Sequence, residues 1–263
     1  MAIVLVLAVG LIVISALSMA ILPAEFSFEQ RRTEILRNDM ATIMMAVEGY
    51  RDENPLAGYL TPAALATIPG NEHLRFTWPE RFQFQVANSL NDGVWRFDRA
   101  AIWFESPHAF IGNADYVLAT NNSCGAGALT DGGEWCGRSQ SLWAKIENKR
   151  AYSSQLLGEQ QRLYRTIRKF YQRYSKDQSF VPLANGQVRS LASLVGYGGS
   201  AANCAGVFTY NEIPLGCEDL FNYWGVPVVL NKVTGNHIVL VNRTLIESSA
   251  GQLIRLAEEA KLE

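Results

Sequence analysis

The hydrophobic pattern divides the chain into an apolar first segment and a globular remainder. Residues 1–24 carry no charged side chain. A bilayer core of about 30 Å needs roughly 20 apolar residues in a helix that rises 1.5 Å per residue, and residues 2–22 supply that length. We therefore predict a transmembrane anchor at residues 1–24, with Met1 to Leu22 in the membrane. The alternative, a cleavable signal peptide, would have a basic first part and a shorter apolar run.

The segment after Pro23 resumes the period of an amphipathic helix. Apolar residues recur at spacings of three and four, which places them on one helix face; they are Leu36, Met40, Ile43, Met44, Val47 and Tyr50. Asn54-Pro55 predicts the end of this helix. We expect Val47 and Tyr50 to be core residues.

Short alternating apolar runs predict antiparallel strands at residues 82–86, 94–97, 102–104 and 116–118. Two further strands are predicted at 226–231 and 236–241, joined by a tight connection through Thr234-Gly235. The helical period predicts two more helices, at about 139–174 and at about 244–261.

The helix predicted at about 139–174 has an apolar arc and a basic arc in its final part, which ends at Tyr174. The apolar arc comprises Leu156, Leu157, Leu163, Tyr164, Ile167, Phe170, Tyr171 and Tyr174. Five arginines and lysines lie on the other arc, which raises the possibility of a nucleic-acid or phospholipid surface. Because the pattern places no aromatic residues among them, we interpret this arc as an ordinary solvated helix face.

The two long helices are followed by similar sequences. Tyr50 and Tyr174 each precede a polar turn, a proline and a short apolar run that ends at Gly70 or Gly196. We predict an α+β fold in which the transmembrane helix continues into an amphipathic helix packed on an antiparallel sheet. The chain then forms two helix-plus-sheet units, 25–138 and 139–263, although a similarity this weak also arises by chance.

The four cysteines fall into two local pairs, Cys124 with Cys136 and Cys204 with Cys217. Each pair flanks a loop rich in glycine, asparagine, serine or proline, which favours two local disulfides. Closing about a dozen residues stabilises by roughly 3 kcal/mol in the chain-entropy model, and such bonds persist in oxidising compartments. Four reduced thiols are the alternative, and the lack of CxxC or CxxH spacing argues against a zinc site.

The orientation of the predicted anchor is indicated by two signals that disagree. Arg31, Arg32 and Arg37 follow the apolar segment, and the positive-inside rule then favours a cytoplasmic body. The cysteine pairs favour an oxidising compartment. We expect a single-pass inner membrane protein with a periplasmic or extracellular body.

Composition and motifs limit the chemistry that the chain can be expected to perform. The net charge of −2 and the pI near 6.0 give no reason to expect a nucleic-acid partner. His73, His108 and His237 are isolated and belong to no metal or haem motif. No nucleophile or phosphate-binding motif is present, so we predict no catalytic residue, no metal, no cofactor and no enzymatic activity.

The order of these features resembles type IV pilins and pilin-like proteins, mainly over residues 1–70. In that family an apolar N-terminal segment has a proline near its twenty-second residue, and here Pro23 stands in AILPAEF. Cys217-Glu218-Asp219-Leu220 followed by Trp224 is similar to the C-terminal part of type IVb pilins. The stretch from Met40 to Gly70 is similar to PilM-type membrane proteins of conjugative thin-pilus systems.

Two departures from the pilin pattern favour a minor or accessory component. Major pilins carry a glutamate used in assembly where this chain has Leu5. No charged leader with a glycine cleavage point precedes the apolar segment. The resemblance therefore implies a pilin-like structural or accessory protein, not a polymerising major subunit.

The resemblance implies a membrane-anchored component of a type IV pilus, conjugation or secretion apparatus, acting through protein–protein interaction. Its expected partners are other pilus or secretion subunits and inner membrane lipid, with no nucleic acid. Gly10, Ala16 and Ala20 form a predicted packing surface, because small residues let helices approach closely in lipid. The alternatives are an anchored extracytoplasmic enzyme such as a hydrolase, and a pilus-tip adhesin that uses the cysteine loops.

Overall fold

The computed structural model describes residues 30–54, 57–74, 82–104, 122–138, 142–177, 181 and 183–261. The predicted anchor, including Gly10, Ala16 and Ala20, lies outside these ranges, and so does the predicted strand 116–118. Within the described ranges, no helix combines the length and the apolar character needed to cross a bilayer. The fold of these residues is α+β with an antiparallel sheet.

The described helices and strands alternate along the chain. The helices are residues 30–53 (α1), Pro62–Leu65 (α2), Lys149–Tyr174 (α3), Leu191–Leu194 (α4) and Cys217–Leu220 (α5). The strands are Phe82–Asn91 (β1), Trp95–Phe104 (β2), Trp143–Glu147 (β3), Val188–Ser190 (β4), Val207–Tyr210 (β5), Ile213–Gly216 (β6), Val229–Thr234 (β7), His237–Ser248 (β8) and Leu253–Lys261 (β9). A short 3-10 helix occupies Ala201–Asn203.

One antiparallel sheet contains strands from both halves of the chain. Its order is β1-β2-β8-β7-β4, with β3 also paired to β2 and β9 also paired to β8. The two halves meet where Trp95 and Arg96 pair with Ser248 and Glu247. Strands β5 and β6 form a separate hairpin. This sheet contains strands from before and after residue 138. The division of the chain into two units at that residue stays a prediction.

Helix α1 packs on the first part of the sheet through the face that the sequence period predicts. Met40, Ile43, Met44 and Val47 are buried against residues of β1, β2 and α2. Val47 is fully buried, as expected of a core residue, whereas Tyr50 is only partly buried. The side chains of Ile35 and Met45, on the outer face, are 61% and 64% exposed.

Helix α3 begins ten residues later than the sequence period predicts. The residues before Asn148 form β3, which pairs with β2 from Trp143↔Trp103 to Glu147↔Arg99. Backbone pairing with an existing strand therefore overrides the helical period there. The buried face of α3 includes Leu163, Ile167, Phe170 and Tyr174, which pack on β7 and β8 and on the β5–β6 hairpin.

The predicted apolar arc of α3 is wrong in part. Leu157, Tyr164 and Tyr171 are 60%, 49% and 44% exposed, so they lie on the outer side of the helix. Glu159 is buried instead, and its carboxylate accepts hydrogen bonds from Asn242 Nδ2 and from the backbone N–H of Tyr223. A buried carboxylate is tolerated when such partners replace water.

The helix predicted at about 244–261 is wrong. These residues form the end of β8 and all of β9, which pair in register from His237↔Lys261 to Arg243↔Arg255. Alanine and glutamate favour a helix, but β9 buries Ala260 and half-buries alternate side chains when it pairs with β8. Strand pairing supplies both the hydrogen bonds and this burial, and helix propensity is weak by comparison.

Both long helices are followed by a short helix with the same kind of cap, as the repeated sequence suggests. Thr61 Oγ1 accepts a hydrogen bond from Ala64 N at the start of α2, and Ser190 Oγ accepts one from Ser193 N at the start of α4. These are ordinary N-caps. Gly70 and Gly196 follow, both with positive φ.

Candidate interaction site

The first disulfide loop, residues 122–138, covers one face of the sheet. Side chains alternate along a strand, so Ala100 and Ile102 of β2 face α1, whereas Ala101 and Trp103 face the loop. The loop contributes the fully buried side chains of Leu129 and Trp135 to this second cluster. The sheet is thus enclosed between a helix and a disulfide loop.

The loop is closed by the disulfide between Cys124 and Cys136, whose Cα atoms are 5.5 Å apart. The side chain of Asn122 binds the loop backbone beside the disulfide. Its Oδ1 accepts from the N–H groups of Cys124 and Cys136, both at 3.1 Å, and its Nδ2 donates to carbonyls on both sides of the loop. The two ends of the loop are therefore held together by the disulfide and by the hydrogen bonds of Asn122 with Cys136 and Glu134.

A buried arginine fixes the loop to the sheet. Arg99 of β2 is fully buried, and its Nε donates to Glu147 Oε1 of β3 at 2.7 Å. Its two terminal nitrogens donate to the carbonyl oxygens of Leu129, Asp131 and Gly133, at 2.6 to 3.0 Å. The guanidinium group thus orients three peptide groups of the loop while one carboxylate balances its charge.

A second cation supports this arrangement. Lys145 Nζ of β3 donates to the Glu134 carboxylate and to the carbonyl oxygen of Trp135. Its hydrogen bond lowers the pKa of Glu134 below its ordinary value, with burial acting in the opposite direction. We call Arg99, Glu134, Lys145 and Glu147 the Arg99 cluster. It places two positive and two negative groups between the loop and the sheet.

Close backbone packing also holds the loop in place. A Cβ atom on Gly132 would lie 1.6 Å from the carbonyl oxygen of Asn91, at the end of β1. Only glycine allows the loop to approach the β1–β2 hairpin this closely. The exposed rim of the loop comprises residues 123–126, Thr130, Asp131, Gly133 and Glu134.

The first disulfide loop brings one set of potential metal ligands together. Cys124, Cys136 and Glu134 bring three potential metal-ligand atoms within 4.8 Å of one another. Both sulfur atoms are joined in the disulfide, so they are not thiolates and do not offer the ligands that a metal would need. The exposed rim presents backbone amides, small side chains and the carboxylate of Asp131.

The second disulfide joins Cys204 to Cys217, with 5.8 Å between the Cα atoms. It joins a residue shortly before β5 to the first residue of α5 and so closes the two ends of the β5–β6 hairpin. Asp219 of α5 is buried. The Asp219 carboxylate accepts hydrogen bonds from Thr166 Oγ1 at 2.6 Å and from Lys169 Nζ at 2.8 Å, both on α3. This hairpin therefore packs on the same side of the sheet as α3.

Both cysteine pairs match the local pairing predicted from their spacing. The Arg99 cluster was not predicted. The charged residues Arg96, Asp98 and Lys145 lie in the same two strands, so the sequence does not distinguish Arg99 and Glu147 as the buried pair. The packing residues Gly10, Ala16 and Ala20 lie outside the described residues.

Comparison of the chain with protein-family models, curated proteins and solved structures found no significant match.

Proposed function

We propose that this chain is a membrane-anchored, pilin-like structural or accessory component of a type IV pilus, conjugation or secretion apparatus. Residues 1–22 would span the inner membrane, and the body would lie in the periplasm or outside the cell. Its partners would be other subunits of the same apparatus, contacted through the anchor and the body.

The organisation of α1 is the observation that carries this proposal. Residues 30–53 are helical and follow the apolar segment closely, and one face of this helix is buried against β1 and β2. The opposite face exposes Ile35 and Met45. The resemblance to pilin-like proteins implies a half-buried helix after the apolar segment of the sequence.

The disulfides support a body outside the cytoplasm. Both Cys124–Cys136 and Cys204–Cys217 are formed, and the described residues contain no free cysteine. Disulfides of this kind are retained where the surroundings are oxidising. The arginines after residue 30 favour the opposite orientation, so the orientation has to be measured.

Fractionation and protease treatment test the proposal together. The full chain should sediment with membranes, and protease added to spheroplasts should degrade the body before the cells are lysed. A variant with Val9→Arg and Leu11→Arg should fail to insert, because each charge at the membrane centre costs about 3 kcal/mol. The matched control carries Val9→Ile and Leu11→Ile and should behave as the parent. A body protected until lysis would refute the orientation, and unchanged insertion of the arginine variant would refute the anchor.

The first disulfide loop favours a second candidate role, recognition of a receptor at the cell surface. The Arg99 cluster holds the backbone of the loop in one conformation, and such pre-organisation lowers the cost of binding. Replacing the exposed Thr130 by arginine should then reduce adhesion of the cells while pilus assembly continues. Equal adhesion of parent and variant would count against this role.

A further inference from the structure

The outer side of α3 combines exposed apolar groups with a strong positive charge. Leu157, Tyr164 and Tyr171 lie seven residues apart and are each at least 44% exposed. Seven residues are close to two helical turns, so these side chains form one line along the helix, about 21 Å long. We call this line the outer stripe. The sequence pattern had placed the three residues in the core-facing arc, away from the arginines.

The charge of α3 differs sharply from that of the rest of the chain. The helix contains seven basic residues and one acidic residue, Glu159, which is buried. Its net charge is therefore +6, whereas the whole chain has a net charge of −2. The remaining residues consequently carry −8. Lys149, Arg162, Lys169 and Arg173 pair with acidic side chains, so the surface charge of the helix is smaller than +6. Within the described residues, the basic residues without such partners favour a negatively charged partner.

Two of the arginines beside the outer stripe are available for such a partner. Arg162 pairs with Glu159 and Lys169 with Asp219. Among the residues that the structure describes, no acidic side chain lies within ion-pairing distance of Arg165 or Arg168. Both are exposed, and the Arg168 guanidinium lies 5.7 Å from the centre of the Tyr164 ring.

A cleft of about 450 Å³ lies beside Tyr164 and Arg165. Gln160, Gln161 and Glu258 of β9 complete its lining. Glu258 is the acidic group that faces the cleft, and its carboxylate is engaged by Gln160 Nε2. The cleft therefore offers amide and guanidinium donors next to an exposed aromatic ring.

We propose that the outer stripe of α3, with Arg165 and Arg168, binds the surface of an anionic lipid bilayer. Tyrosine is enriched at the membrane–water interface, and arginine side chains reach lipid phosphates while their apolar stems stay near the acyl chains. Lysines and arginines near an anionic surface each add attraction. This inference rests on the proposed function, because the anchor would keep α3 close to a bilayer.

A partner helix fits this surface less well than a bilayer does. Helix pairing of the coiled-coil type needs two apolar positions in every seven residues. On α3 the second apolar position would lie three residues after each member of the outer stripe. These positions include Ile167 and Tyr174, which are buried in the core. A flat lipid surface needs only one line of apolar side chains flanked by cations.

An environment-sensitive fluorophore on the outer side of α3 tests the proposal in the full chain. Gln161→Cys provides the attachment site, since Gln161 is exposed next to the outer stripe. The labelled protein is reconstituted into nanodiscs of phosphatidylcholine alone or of phosphatidylcholine and phosphatidylglycerol in equal parts. We expect a blue-shifted emission, protected from acrylamide, only in the anionic discs. A label at Ala257→Cys, on an exposed position of β9, should remain accessible in both.

Paired arginine variants distinguish binding through the outer side of α3 from binding through positive charge elsewhere on the protein. Arg165→Gln with Arg168→Gln should abolish the blue shift in anionic discs. In a vesicle-binding assay the same two changes should weaken binding roughly fivefold for each arginine. The matched control is Arg243→Gln with Arg255→Gln, two exposed arginines of β8 and β9, and it should keep the shift.

The failure of this inference differs from the failure of the proposed function. A chain that does not enter nanodiscs refutes the anchor. Binding of anionic lipid by the outer stripe of α3 would still be supported if that chain sedimented with phosphatidylglycerol vesicles and not with phosphatidylcholine vesicles. The inference is overturned if the label at position 161 stays accessible in anionic discs, or is equally protected in both kinds of disc. It is also overturned if both arginine pairs abolish the shift, or if single-stranded DNA protects this label and phosphatidylglycerol does not.

Discussion

The guanidinium group of Arg99 and the carboxylate of Glu147 are in direct contact inside the protein, with 2.7 Å between Nε and Oε1. Both side chains are almost fully buried. The pair joins β2 to β3, and the remaining donors of Arg99 hold three carbonyl oxygens of the first disulfide loop. The position of this loop therefore depends on one buried cation and its counter-ion.

Replacing Arg99 by methionine should destabilise the protein strongly. The change leaves the Glu147 charge and three loop carbonyls without their partner, and breaking a buried ion pair in this way costs about 3–5 kcal/mol. The double variant with Arg99→Met and Glu147→Met should recover part of that loss, because no unpaired charge remains. Urea unfolding followed by tryptophan fluorescence measures both. A double variant less stable than Arg99→Met alone would contradict this account.

The two disulfides should form in the native host in the pairing that the structure has. Non-reducing peptide mapping should find Cys124 joined to Cys136 and Cys204 joined to Cys217. Removing the first bond by Cys124→Ala with Cys136→Ala should lower the free energy of unfolding by about 3 kcal/mol. A bond between Cys124 and Cys204 would contradict the pairing, and four free thiols would contradict both the pairing and the location of the body.

The buried face of α1 should be far more sensitive to truncation than its outer face. Ile43 is fully buried, so Ile43→Ala should cost about 2–5 kcal/mol through lost burial and the resulting cavity. Met45 lies two residues further on and is mostly exposed, so Met45→Ala should change stability by no more than about 0.5 kcal/mol. Thermal unfolding of the two variants, measured side by side, should show this contrast. Equal effects would mean that α1 does not pack on the sheet as described.

Asp92 should make stability depend on pH in the acid range. Burial opposes its ionisation, but hydrogen bonds from the N–H groups of Trp95 and Val94, together with Lys149, outweigh this and hold the pKa of Asp92 below its ordinary value of 3.8. A carboxyl group whose pKa is lower in the folded state stabilises the fold above the unfolded-state pKa. That contribution is lost as the pH falls through the folded-state pKa.

Asp92→Asn should therefore be less stable than the parent at neutral pH, by about 1 kcal/mol. The difference should shrink when urea unfolding is measured below the ordinary pKa of aspartate. Asp52→Asn, a change at an exposed position of α1, is the matched control and should show no such trend. A difference for Asp92→Asn that is constant with pH would rule out the carboxylate as its cause.

The sequence predicted the elements that depend on local period and on short loops. The face of α1 with Ile43 and Val47 follows directly from a helical period, and the two disulfides follow from cysteine spacing. The short capped helices after Tyr50 and Tyr174 were also visible as a repeated pattern. Each of these features is decided by residues close together in the chain.

The errors occur where distant strands decide the structure. The sequence of β9 has a helical period, but its pairing with β8 determines its conformation. Tyr164 and Tyr171 fit the apolar side of α3 by composition, yet packing on the sheet turns them outward and buries Glu159 instead. The charge of Glu159 is accommodated by donors from Asn242 and from the N–H of Tyr223, both far along the chain, and by its neighbour Arg162. Only the contact with Arg162 follows from local helix spacing.

The candidate site was only partly predictable for the same reason. Cysteine spacing indicated the first disulfide loop, but it could not show that Leu129 and Trp135 cover the sheet. Arg99 and Glu147 are 48 residues apart in sequence, and their contact depends on the pairing of β2 with β3. The rigid backbone of the loop is therefore a consequence of tertiary structure.

The most direct test of the central claim is whether the proposed anchor assembles with subunits of a pilus or secretion apparatus. The full chain is isolated from its host in mild detergent, and co-purifying subunits are quantified for the parent, Gly10→Leu and Ala16→Leu. Val4→Leu, a smaller apolar enlargement on the opposite face of the predicted helix by the 3.6-residue period, is the control. We predict that the parent and Val4→Leu recover these subunits, whereas Gly10→Leu and Ala16→Leu lose them while remaining membrane-bound with both disulfides formed. Recovery of no such subunit by the parent, or equal recovery by all four proteins, would contradict the account.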